Sequence, residues 1–180
     1  MAHAQSVYKW RPEFQQIYLS VHNWIAKKWR STSGYKDYPW DRDIVWNAVR
    51  SDKARDIAFT FYALFPTHFF KVYHTLVNVV GHERLVEWAS PNSRILALDV
   101  GCGTGAASAA FIESLAALSS GTNIGPTEVF CIGIDPNIRS LAIYNQLMNT
   151  LEKNVSGPAN RIVVHHQVRR GGWGIIFERI

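Results

Sequence analysis

The residues with the clearest chemistry in this 180-residue chain are Leu98-Asp99-Val100-Gly101-Cys102-Gly103-Thr104-Gly105. Glycine at three alternate positions permits a tight turn and lets a ligand come close to the backbone. Where a helix follows such a turn, its first N–H groups can hold an anionic group. Two carboxylates accompany the loop. Asp99 stands two residues before the first glycine, and Asp135 closes the run Ile132-Gly133-Ile134-Asp135, ahead of Pro136. A carboxylate at such a position can accept two hydrogen bonds from a vicinal diol. Gly101, Gly103 and Ala106 also satisfy the Gly-x-Gly-x-x-Gly/Ala pattern of a dinucleotide loop. Asp99 argues against a dinucleotide, because it would face a pyrophosphate with like charge. A ligand bearing an ammonium suits that position better.

The elements that must position these residues follow from hydrophobic period. Ile95 to Val100 is a continuous apolar run interrupted only by Asp99, the mark of a strand buried on both faces. Ala106 to Leu118 reads as a helix, Val129 to Ile134 as a second buried strand, Ile138 to Leu151 as a second helix, and Arg161 to Val168 as a third strand. Strand–helix–strand–helix–strand predicts an α/β fold with parallel strands and flanking helices. Ahead of Ser90-Pro91-Asn92-Ser93, which reads as a linker, the chain reads as helices and holds six of its seven tryptophans. Phe14, Ile17, Tyr18, Val21, Trp24 and Ile25 share one helical face, with Pro12 in the first turn. Residues 31–40 read as a loop, and Asp41 or Asp43 can cap a second helix. A third, through Ile57 and Phe61, is expected to stop at Pro66, where Thr67 caps a fourth that ends at Gly81. The expected division is a helical region over residues 1–93 and a sheet-bearing domain over residues 94–180.

The segment Leu98 to Gly105 resembles motif I of the class I S-adenosylmethionine-dependent methyltransferases, whose cofactor carries both a sulfonium and an ammonium. Ile132 to Pro136 resembles the end of that family's second strand. The resemblance covers roughly residues 94–168 and implies a Rossmann-like sheet that binds S-adenosylmethionine. By position, Asp135 would hold the ribose hydroxyls and Asp99 would serve the methionine end. Gly101, Cys102, Gly103 and Gly105 would form the loop, and Pro136 would lie beside the cofactor. Asp135 follows Asp99 by 36 positions, where the dinucleotide fingerprint expects about 20 from its glycines. A polar loop over residues 119–127 accounts for the excess. The family sheet has seven strands and this chain supplies three, so the resemblance implies the N-terminal part of the fold only. Trp173 to Ile180 is strand-like, but four residues after the third strand permit a hairpin and not a crossover. The first strand would therefore keep an open edge, and the chain would dimerise or bind a subunit that completes the sheet. A helical segment ahead of such a motif is also similar to the mitochondrial-ribosome-associated methyltransferase-like proteins. That likeness implies an alternative: a catalytically incomplete binding or assembly module, on RNA for example.

Other reactive residues read more simply. Asp135 can instead cap the helix that begins near Asn137. Cys102 reads as a small buried thiol rather than a nucleophile. His165 and His166 alternate faces on a strand and cannot share a metal, and no metal site is expected. His68 and His74 sit among aromatics as packing or surface groups. The N-terminal aromatics read mostly as core, with a stacking platform for bases as the lesser alternative, and Arg169, Arg170 and Arg179 as a solvated edge, with a phosphate contact as the lesser alternative. No residue is singled out as a catalytic base, because methyl transfer rests on positioning. A net charge of +5 permits an acidic partner such as RNA without requiring one. The longest apolar stretch without a charge, Ile57 to Phe70, is too short to span a membrane and contains Pro66. With no signal-peptide pattern and two cysteines in no framework, a reducing, cytoplasm-like compartment is expected. The methyl acceptor is not legible.

Overall fold

A computed structural model describes residues 10–29, 42–89, 93–119, 126–155 and 162–171. The second half follows the expected alternation: β1 (Arg94–Val100), α5 (Ala106–Ser119), β2 (Thr127–Asp135), α6 (Ile138–Val155) and β3 (Ile162–Arg170). The three strands form one parallel sheet in the order β1-β2-β3. The protein is therefore of α/β class, with helices flanking a parallel sheet. The expected tail hairpin, the loop at residues 31–40, the Ser90–Asn92 stretch, Asp41 and residues 120–125 lie outside the described residues.

The first half supplies α1 (Pro12–Lys28), α2 (Arg42–Arg50), α3 (Ala54–His74) and α4 (His82–Trp88). Pro12 occupies the first turn of α1 as expected. Asp43 lies inside the first turn of α2 and so does not cap it. The expected break at Pro66 does not occur. Helix α3 runs through Pro66 and on into a π-helical turn, Thr75–Val80, that ends at Gly81. A proline inside a helix costs about 3 kcal/mol, and the aromatic ladder across it offsets that cost. Phe61, Phe65 and Phe69 are each at most 1% exposed and follow one another at 4.9 and 6.0 Å between ring centroids. Tyr18 stacks on Phe61 and Phe14 on Phe69 across from α1. Breaking α3 at Pro66 would divide this ladder. Thr67 accordingly lies mid-helix and is no cap.

Helix α5 is the centre of the molecule. Its Ala109, Ala110, Ile112 and Leu115 are fully buried, and its sequence is apolar nearly all round, as a helix packed on two sides requires. The sheet lies on one side of it and α3 on the other, while α1 packs on α6. A single core cluster therefore joins residues from both sides of position 93. Arg11 adds a bidentate ion pair to Glu113 on α5, whose carboxylate is buried.

β1 does not meet the expectation of burial on both faces. Adjacent strands joined by right-handed crossovers place both connecting helices on the same face of the sheet. Ile95, Val129 and Val164 form a row beneath α5 and α6. Their neighbours Leu96, Phe130 and His165 form the next row, on the opposite and open face. Leu96 is 69% exposed and Leu98 52%. β1 is also an edge strand among the described residues, and β2 is the central one. No helix among the described residues is long and apolar enough to cross a membrane.

Candidate functional site

β1 and β2 end side by side, with Asp99 paired in register to Gly133 and Val100 to Ile134. The Gly101–Gly105 turn follows directly. Gly101, Gly103 and Gly105 have φ values of +73°, +51° and +92°, in the left-handed region that other residues rarely adopt. The turn is anchored to β2. Ile134 O accepts from the N–H groups of Gly101 and Cys102 at 2.8 and 3.1 Å. Asp135 Oδ2 accepts from the Gly103 N–H at 2.9 Å, and Asp135 Oδ1 accepts from the Asn137 N–H at 2.7 Å. Asp135 thereby ties the loop to the start of α6. It does not cap that helix: Asn137 Oδ1 accepts from the N–H groups of Arg139 and Ser140 and serves as the N-cap.

Asp99 has a different task. Its Oδ2 accepts from the Ser108 hydroxyl at 2.7 Å and from the Ser108 N–H at 3.2 Å. The Ser108 Oγ also lies 3.0 Å from the Tyr144 hydroxyl. Burial raises the Asp99 carboxyl above its ordinary range, against the lowering effect of the Ser108 bonds, and the Asp135 charge adds to the rise. Burial likewise pushes the Tyr144 phenol up, so it remains protonated and can donate. The Tyr144 ring is fully buried. It packs so closely on two backbones that a Cβ at Gly105 would sit 2.9 Å from its Cδ2, and one at Gly133 2.6 Å from its Cζ. One side chain of α6 thus braces both the turn and the central strand.

The loop opens on a cavity of about 580 Å³ at the C-terminal ends of the strands. Open α/β sheets bind ligands outside the carboxyl ends of their strands, at a reversal of strand order; the described strands, in the order β1-β2-β3, meet the first condition and not the second. Its floor includes Gly101, Cys102, Gly103, Asp135 and Pro136, and its opposite wall is the face of α3 that carries Ile57, Thr60, Leu64, Phe65 and His68. The short connection from α2 to α3 is latched to the start of α6: Asn137 Nδ2 donates to Ser51 O at 2.9 Å, and Arg139 Nη1 donates to Asp52 O. Five of the seven sequence-predicted residues therefore meet in one cavity. Asp99 and Gly105 do not line it and lie behind the loop as its supports.

Cys102 reaches the cavity but is 7% exposed, and burial beside Asp99 and Asp135 pushes its thiol far above the ordinary value. Such burial disfavours the thiolate that a nucleophile requires. Burial lowers His68, aided by Lys71. Among the described residues no three His, Cys, Asp or Glu side chains cluster as a metal site. His165 stacks on Phe130 on the open face, and His166 points the other way, to Asn145 Oδ1 at 3.0 Å. Sequence reasoning missed Tyr144, Asn137 as a cap, Arg50 and Arg139, and read Arg170 first as a solvated edge, with a phosphate contact as the lesser alternative. Of the missed residues, only Asn137 had a readable signal, an Asn immediately ahead of a helical period. No known family model, no curated protein and no solved structure matches the chain.

Proposed function

We propose that this cavity binds S-adenosylmethionine and that the protein serves methyl transfer. The observation that carries the reading is Asp135, a carboxylate that lines the cavity while holding the glycine loop. Each of its oxygens accepts one backbone N–H and keeps a second lone pair. The two can accept the two hydroxyls of a ribose diol without releasing the loop. The cavity volume lies in the range of small-molecule sites, about 300–1,000 Å³. Ile57, Leu64 and Phe65 on its α3 wall suit a purine, and Asp99 and Asp135 put negative charge beneath the loop itself, where a pyrophosphate would have to sit, while Arg50, Arg139 and Arg170 line the cavity from other elements. When bound, the cofactor would supply an electrophilic methyl group on a sulfonium. The chain's own residues would hold the diol, fix the loop and, through α3 and the α2–α3 connection, keep water out. That division is what positioning catalysis requires.

The test is Asp135→Ala. Hydrogen bonds to a charged acceptor are worth about 1.5–3 kcal/mol, so affinity for S-adenosylhomocysteine should fall roughly ten- to a hundred-fold. Unchanged affinity in a folded variant would leave Asp135 with its loop-tying role alone.

A second reading, a catalytically incomplete binding or assembly module, is favoured by the sheet itself. β1 is an unpaired edge among the described residues, and a cavity of about 510 Å³ beside it is lined by Trp88, Ile95, Leu96, Leu98 and Phe111 together with Arg94. Exposed apolar edges of this kind invite association. On that reading a second copy or a completing subunit would occupy the edge, and methyl transfer by the chain alone would be weak.

A further inference from the structure

We propose that the mouth of the cavity binds single-stranded nucleic acid, with Arg50, Arg139 and Arg170 on its phosphates and Trp46 stacked on a base. The surface needs no cofactor to form; its being the place of the methyl acceptor rests on the reading above. The three arginines come from three different elements, the end of α2, the first turn of α6 and the end of β3, yet all line one cavity. None of them forms an ion pair with a described carboxylate. Arg139 donates to Asp52 O, Arg170 to Pro136 O, and the Arg50 guanidinium lies 5.7 Å from the centre of the Trp46 ring. By contrast, Arg11, Arg84 and Arg94 are each paired to a glutamate. Charges held by neutral groups remain available to an anion.

The carboxylates that line the same cavity are Asp52 and Asp135, and Asp135 already receives two backbone N–H groups. The cationic groups outnumber them. Trp46 stands one helical turn before Arg50 and is 51% exposed, although it is large and apolar. An exposed indole beside an unpaired guanidinium is the pairing that single strands exploit, because every base has a π-face and every linkage a phosphate. A guanidinium is also the best side-chain match to a phosphate, which it can meet with two parallel hydrogen bonds. The same chemistry would accept a free nucleotide. A strand is favoured because the cations come from three elements and the indole, which adjoins Arg50, lies outside the cavity lining.

The experiment is fluorescence anisotropy of the full chain with a labelled ten-nucleotide RNA, over a range of salt and without cofactor. Each phosphate neutralised on a single strand contributes about 0.7 to the salt slope. Replacing all three arginines by alanine should therefore weaken binding and flatten the slope by roughly 2. Arg139→Lys should keep the slope, since the charge remains. Trp46→Ala should weaken binding about five- to a hundred-fold at fixed salt, and Trp46→Phe should retain most of it. Arg84→Ala, on α4, should change nothing. The proposal is overturned if the triple variant keeps its affinity and slope, if Trp46→Ala binds normally, or if Arg84→Ala weakens binding as much as the cavity variants. A mononucleotide that binds as tightly as the oligomer would overturn the strand in favour of a free nucleotide, and the matching DNA oligomer tells whether ribose is required. Calorimetry with S-adenosylhomocysteine on Trp46→Ala, whose residue does not line the cavity, keeps the two readings apart. Loss of RNA binding with cofactor binding intact supports both, and RNA binding in a chain that takes no cofactor leaves this surface standing while the methyl-transfer reading falls.

Discussion

Gly133→Ala tests how the loop is held, because it changes one buried methyl group and nothing else. The backbone of Gly133 is in ordinary strand conformation, so an alanine meets no conformational objection. The objection is spatial: the new Cβ would lie 2.6, 2.8 and 2.9 Å from Cζ, Cε2 and Cε1 of Tyr144. The neighbour cannot yield as a flexible chain end would. Its ring is rigid and fully buried, it also touches Gly105, and its hydroxyl is engaged with Ser108. Overpacking of this kind costs about 1–3 kcal/mol. For a chain of this length that corresponds to a fall in Tm of roughly 2–12 °C. The measurement is urea denaturation followed by circular dichroism, repeated in a Tyr144→Leu background. Leucine leaves room, so the alanine should cost about 0.5–3 kcal/mol less there. A Gly133→Ala variant as stable as the parent, or one equally damaging in both backgrounds, would refute the bracing role of Tyr144.

His166 gives a pH prediction. Burial lowers its pKa, and Glu152, 3.7 Å away, only partly restores it. A histidine lowered on folding contributes stability above its unfolded pKa of about 6.5 and loses it as pH falls through the folded value. Tm should therefore drop as pH falls below about 6.5, and His166→Gln should shrink that drop; an unchanged drop would contradict it. Burial pushes Cys131 up to about 12 and Cys102 further still. Both thiols should react with a disulfide reagent at pH 8 only as fast as the chain unfolds, and rapid labelling of either in the folded protein would show the burial to be wrong. Light scattering should find the purified chain as dimers or larger species, since Leu96 and Leu98 stand exposed on β1, an edge strand among the described residues. A monodisperse monomer with robust methyl transfer would count against the second reading.

β1 and β2 were legible because a continuous apolar run between turn residues has few other uses in a domain, and β3, with His165, His166 and Gln167 in its middle, followed from the strand–helix alternation. The glycine turn was legible because three left-handed positions in five residues leave little choice but glycine. Pro66 misled because proline's local penalty is visible in sequence, whereas the aromatic ladder that outweighs it needs α1 in place. β1 misled for a related reason: Leu96 and Leu98 have the same apolarity whether covered or open, and only the crossover geometry decides. The Asp99–Ser108–Tyr144 chain joins three elements and has no sequence period. The arginines are dispersed in the same way, over 120 positions from Arg50 to Arg170. Asp135 was legible as a position but not as a tie to Gly103, because that bond exists only once β1 and β2 end in register.

The central claim is tested most directly by hydrogen–deuterium exchange of the chain with and without S-adenosylhomocysteine, alongside a calorimetric titration of the same sample. Heat of binding should be seen with that compound and not with NAD. Protection should concentrate in the Gly101–Ser108 turn and the Asp135–Ser140 segment, with a weaker effect on the cavity face of α3. Binding of NAD in its place, no heat from either, or protection that leaves both of those segments unchanged would contradict the account.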